Sequence, residues 1–112
     1  MSSPYTPVFA AGDWRCVSGQ IGLTTEGLAE DFGGQLDDVL ANLDKLLGEH
    51  GLRRDQVAKT TVFLTDMGDY AELNERYVAF FGEHRPARSA IAVAALPLDA
   101  LVEVEAWVYV GE

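Results

Sequence analysis

A chain of 112 residues with 48% hydrophobic content supports one core and is too apolar to be read as disordered. Its 18 acidic residues against 8 basic ones leave a net charge of −10, which argues against a nucleic-acid binder that tracks phosphates. No apolar run approaches the roughly 20 residues that span a bilayer, the first residues lack the basic and apolar regions of a secretory leader, and Cys16 has no second cysteine to pair with; together these predict a reducing cytoplasm and no membrane contact.

In chain order, Val8-Phe9-Ala10 and Trp14 to Ser18 read as two strands joined through Ala11-Gly12-Asp13, a hairpin by its turn chemistry. Gly19, Gly22 and Gly27 then predict a loop. Phe32, Leu36, Val39, Leu40, Leu43, Leu46 and Leu47 recur at helical spacing, with Asp31 as N-cap and Gly51 as the stop, and Gly33-Gly34 weakening the first turn. The β-branched and aromatic run Val57 to Leu64 reads as a strand. Asp69-Tyr70-Ala71-Glu72 resembles a capping box opening a second helix, which places Tyr70, Leu73, Tyr77 and Phe80 or Phe81 on one face and ends at Gly82 and Pro86. Ala87 to Ala95 and Leu101 to Val110 read as two more strands. The result is one α+β domain over residues 1–112, in the order β-β-α-β-α-β-β.

The last strand constrains the architecture. Val102, Val104, Ala106, Val108 and Val110 alternate with Glu103, Glu105, Trp107 and Tyr109. Two helices cover one face of a mixed sheet this size, and the valines belong there. The opposite face is too apolar to stay bare and too charged for a dry core, so it predicts a symmetric oligomer with pockets between subunits.

Two constellations carry chemistry. Arg88 enters an otherwise small and apolar strand, where a guanidinium is costly to desolvate and cannot lose its proton, so an anionic partner is expected. That partner is either Glu103 or Glu105, as an ion pair across adjacent strands, or a substrate carboxylate gripped at two points. A carboxylate confined near an apolar wall can have a raised pKa and so accept a proton from water, and the sequence leaves either protonation state of Glu103 open. Ser18-Gly19-Gln20 reads either as turn chemistry or as a place where a ligand reaches backbone N–H groups. Tyr5 packs a loose tail down or acts as a lid, and Asn74 sits mid-helix where exposure is the default. His50 and His84 stand far apart near helix ends, and neither has a partner at metal-ligand spacing. Phosphate loops and a nucleophile elbow are absent from the sequence.

Six segments occur in an order that resembles the Rid family, the YjgF-like reactive-intermediate (enamine/imine) deaminases. They are Ser3-Pro4-Tyr5, Ser18-Gly19-Gln20-Ile21, Lys59 to Asp66, Asn74 to Phe81, Pro86-Ala87-Arg88-Ser89, and Leu96-Pro97 leading to Val102-Glu103-Val104-Glu105-Ala106. The resemblance runs from residue 3 to the end. It implies a chorismate-mutase-like fold, a homotrimer with sites between subunits, and hydrolysis of small 2-imino acids of the 2-iminobutanoate and 2-iminopropanoate type to 2-keto acids and ammonia. No metal or organic cofactor is implied. Arg88 would anchor the substrate carboxylate and Glu103 would work beside the attacking water. Tyr5, Ser18, Gly19, Asn74 and Ala90 would line or close the pocket. Two departures stand out: Ala90 occupies a position where many members have cysteine, and the segment Gly82-Glu83-His84-Arg85 is short, with Arg85 an added cation at the rim. They keep open an alternative, a member that binds small keto acids without turning them over.

Overall fold

The computed structural model of the chain describes residues 3–111; Met1 and Ser2, on which the reading of a missing leader partly rests, and Glu112 lie outside them. The strands are β1 (Val8–Ala11), β2 (Trp14–Gln20), β3 (Val57–Leu64), β4 (Ala87–Ala92) and β5 (Val102–Tyr109). The helices are α1 (Phe32–Glu49), which follows β2, and α2 (Tyr70–Phe81), which lies between β3 and β4. The predicted order holds, with single 3-10 turns added at Arg54–Gln56, Met67–Asp69 and Pro97–Asp99.

Local signals account for most boundaries. The Asp31 carboxylate accepts the Gly34 N–H at 2.8 Å and caps α1, as expected. The capping box predicted at Asp69 does not form: Asp69 lies at φ −85, ψ 4 inside the preceding 3-10 turn, and its side chain caps nothing. Asp66 does the capping instead, accepting the Gly68 N–H at 2.8 Å. α2 stops at Gly82, whose φ of 67 lies in the left-handed region that a side chain disfavours. β4 ends at Ala92, short of Ala95, because its ladder partner β3 runs out at Leu64, which pairs with Ala92.

The five strands lie in the order β1-β2-β5-β3-β4, antiparallel except for β3 and β4, which are joined through α2 and run parallel. Both helices pack on one face. There Val102, Val104, Ala106 and Val108 of β5 meet Leu36, Val39 and Leu43 of α1, and Leu73 and Tyr77 of α2, all buried. The other face is uncovered in the single chain. Trp14, Trp107 and Tyr109 cluster on it edge to face, Trp14 lying 5.1 Å from Tyr109 and 6.4 Å from Trp107, and each is about 40% exposed.

Polar side chains tie the loops to this frame. Gln35 donates to the Ala29 carbonyl and accepts the Leu101 N–H, both at 2.8 Å, joining α1 to the start of β5. Asn42 donates to the carbonyls of Ile21 and Leu23 at 3.1 and 3.0 Å, fixing the exit of β2. Both loops border the site described next.

Candidate active site

The predicted site residues gather in two groups. The first lies on the uncovered side of the sheet, where Tyr5, Ser18, Gly19 and Glu103, with Ile21 and Pro97, line a cleft of about 300 Å³. The sequence reads Ser18-Gly19 as the end of a hairpin, but β2 continues to Gln20. Val17 pairs with Ala106 and Gln20 with Val104, so one extra residue is accommodated opposite β5. Such a bulge bends the strand and re-aims its side chains. Ser18 is thereby held against the tail: its hydroxyl donates to the Thr6 carbonyl at 2.6 Å and its N–H to the Pro7 carbonyl at 2.9 Å. These two bonds bring Tyr5, itself 60% exposed, to the mouth of the cleft.

Gly19 is needed for close approach. A Cβ there would overlap the Glu103 carboxylate oxygen Oε2 and lie 2.8 Å from its Cδ. The Glu103 carboxyl is pushed above its ordinary value, first by burial and then by the charge of Glu105 on the same strand face. Gly19→Ala is expected to leave the fold intact, since the displaced group is the far end of a flexible side chain. Turnover should fall about tenfold to a hundredfold as Glu103 is pushed from its place, measured by ammonia release alongside a thermal melt.

The second group lies on the helix-covered side. Arg88 pairs in register with Thr60 of β3, whose hydroxyl meets the Tyr77 hydroxyl at 2.7 Å beneath α2. The Arg88 Nη2 donates to Asn74 Oδ1 at 2.7 Å and to the Tyr70 hydroxyl at 3.2 Å. Its Cζ lies 4.9 Å from the centre of the Tyr77 ring and 5.5 Å from that of Tyr70. Asn74 is therefore not the exposed helix residue expected by default. Tyr70 and Tyr77, assigned from the sequence only to a core face, belong to the Arg88 cradle. The signal was available: Tyr70, Asn74 and Tyr77 stand at i, i+4 and i+7, one stripe of a helix.

The ion pair between Arg88 and Glu103 or Glu105 is not formed. β3 lies between β4 and β5, and Phe63 and Thr61 pair with Glu103 and Glu105, whose side chains alternate with the buried valines onto the opposite face. Among the described residues the ion pairs are Arg53–Asp55, Arg54–Asp44, Arg76–Asp37 and Arg76–Glu72, so Arg88 is held by neutral groups alone. Ala90 packs its methyl group against the core. The Val93 N–H donates to the Leu64 carbonyl at 2.8 Å, and backbone directions alternate along a strand, so the Ala90 peptide groups point to the free edge of β4. Arg85 folds back on the carbonyls of Gly82 and His84. His50 and His84 each bond a backbone carbonyl, Leu46 and Val57 respectively. No cluster of metal-ligating side chains occurs among the described residues, and no helix among them is long and apolar enough to cross a membrane.

Comparison with known proteins places these features in a wider group. The model of the family described as Endoribonuclease L-PSP matches residues 1–110. A RutC family protein of Pyrococcus horikoshii is 40% identical over 109 residues, which is 95% of this chain and 86% of the relative. The 2-iminobutanoate/2-iminopropanoate deaminase of Salmonella typhimurium is 40% identical over 108 residues, 92% of this chain and 84% of that enzyme. Among solved structures, the YjgF gene product of E. coli superposes with a TM-score of 0.89 at 37% identity, over 95% of this chain and 87% of that one. RidA from an Antarctic Psychrobacter gives 0.91 at 37% identity, over 97% and 90%.

Proposed function

The chain belongs to the endoribonuclease L-PSP family, which is the YjgF/Rid family, and from that premise we propose that it is an enamine/imine deaminase, hydrolysing small 2-imino acids to 2-keto acids and ammonia. Some relatives bear the deaminase name and others only the name of the RutC family. The observation that carries the choice is Arg88, a permanent cation half-buried among neutral partners with no carboxylate in ion-pair reach among the described residues. A guanidinium so placed is suited to an anion brought by the substrate.

In the proposed reaction Arg88 grips the carboxylate and thereby sets the position of the imine carbon. Glu103 takes a proton from a water as its oxygen bonds to that carbon. Glu103 returns that proton to the nitrogen of the tetrahedral carbinolamine, the C–N bond breaks as the hydroxyl oxygen forms the keto C=O, and the hydroxyl proton leaves with ammonia as ammonium. The iminium carbon is already electrophilic, so orientation and proton handling are the main requirements. No metal or organic cofactor enters this scheme.

The two groups cannot serve one substrate within a single chain, because they lie on opposite sides of the sheet. Joining the cleft of one copy to the β4 edge of the next completes the site. That contact uses two different surfaces, so it is heterologous, and the closed assembly it builds is a ring rather than a two-fold pair. A homotrimer, with the aromatic face covered between copies, is the assembly proposed here, and the cytoplasm its compartment. An RNA substrate suits the site poorly: the net charge is −10, and Arg53, Arg54 and Arg76 are each paired with acids.

The test is ammonia release from 2-aminoacrylate or 2-iminobutanoate generated in the cuvette, on protein whose mass has been determined by sedimentation. Turnover by a trimer is the expected result. Calorimetric binding of 2-keto acids without ammonia release would replace the enzyme by a small-carboxylate binding protein. Cleavage of RNA without imine hydrolysis would overturn both.

A further inference from the structure

Arginine offers two edges for a two-point grip on a carboxylate, Nη1 with Nη2 and Nε with Nη2. Both edges need a hydrogen of Nη2. In Arg88 that nitrogen already donates twice, to Asn74 Oδ1 at 2.7 Å and to the Tyr70 hydroxyl at 3.2 Å. Nη2 has two hydrogens and two acceptors, so a ligand held at two points competes with one of them.

The two acceptors are not equal. The Asn74 bond is short and half-buried, whereas the Tyr70 bond is long and exposed, on a side chain 42% open to solvent at the first residue of α2. A carboxylate brings a full negative charge to the guanidinium where the phenol brings only a dipole, so it displaces the weaker partner. Tyr77 remains beneath the guanidinium, locked by its hydroxyl to Thr60.

We infer that Tyr70 is a positioning residue that gates Arg88: its hydroxyl stands where one oxygen of the substrate carboxylate will bind, and carboxylate binding displaces it. This rests on the assignment of Arg88 as the carboxylate anchor and adds to it a device that sets affinity. A group that binds at a single N–H of Nη1 or Nε leaves Tyr70 in place, so the gate acts only on ligands gripped at two points.

The experiment is Tyr70→Phe, which keeps the ring and removes the hydroxyl, compared with the parent and with Arg88→Ala. The dissociation constant of a 2-keto acid, read by calorimetry, is expected to fall about two- to tenfold in Tyr70→Phe, the effect of freeing one long, solvent-exposed hydrogen bond. KM for the imine should fall in step with kcat unchanged, and the neutral methyl ester of the keto acid should bind both proteins equally. A purely structural role would move the melting temperature and kcat and would not separate acid from ester. Weaker or unchanged keto-acid binding in Tyr70→Phe, with binding lost in Arg88→Ala, overturns the gate and leaves the anchor standing. Undiminished binding in Arg88→Ala overturns the anchor, and the gate with it.

Discussion

Replacing Arg88 with alanine lowers kcat/KM for imine hydrolysis by about 10²- to 10⁴-fold while the protein stays folded and assembled. Hydrogen bonds to charged groups contribute about 1.5–3 kcal/mol each, and a two-point grip has two of them. The fold survives because Arg88 takes part in no ion pair among the described residues, and its loss leaves only Asn74 and Tyr70 without its hydrogen bonds, neither of them fully buried. Lysine at the same position restores the charge without the planar fork, so Arg88→Lys should recover only a small part of the loss. Steady-state kinetics with freshly generated 2-aminoacrylate, alongside sedimentation of each variant, decides this. Parent-level turnover by a correctly assembled Arg88→Ala protein would remove the anchor from the mechanism.

Glu103→Gln is expected to separate activity from stability. Turnover should drop about 10²- to 10⁴-fold, the usual scale of a lost general acid–base group, with 2-keto acid affinity retained because Arg88 is untouched. Stability should move the other way. Burial first, and the Glu105 charge second, push the Glu103 carboxyl above its ordinary value, so the folded chain holds that proton more tightly than the unfolded one. The stabilisation from the bound proton is fully present below the unfolded pKa and is lost as pH rises through the folded one. A neutral glutamine escapes that loss. The variant should therefore melt at a higher temperature than the parent at pH 7, with the gap closing in acid where the parent carboxyl is also neutral. Thermal melts from pH 3 to 8 test the sign; a variant less stable than the parent at pH 7 would show Glu103 to be a structural ion rather than a strained one.

Much of this architecture is legible in the chain because its signals are local. Period-2 valines against Glu103, Glu105, Trp107 and Tyr109 assign both faces of β5, and helical spacing from Phe32 to Leu47 assigns the buried stripe of α1. The misses are equally informative. The capping box at Asp69 fails because the 3-10 turn before it fixes a different backbone, and Asp66 is the better-placed acceptor. The bulge at Ser18-Gly19 is invisible in the chain, since it exists only as a mismatch with β5.

The functional residues divide along the same line. Their chemical types are legible from order and spacing: a guanidinium in a small-residue strand, a glutamate on the exposed side of a valine strand, and a serine-glycine pair after a hairpin. Which of them meet is decided by strand order and by side-chain alternation across the sheet. These are long-range properties: β3 inserts between β4 and β5, turns an apparent neighbour of Arg88 into a group on the opposite face, and leaves the guanidinium to Asn74 and two tyrosines. Spacing along one strand fixes the face a side chain takes; pairing between distant strands fixes its company, and only the folded sheet contains that.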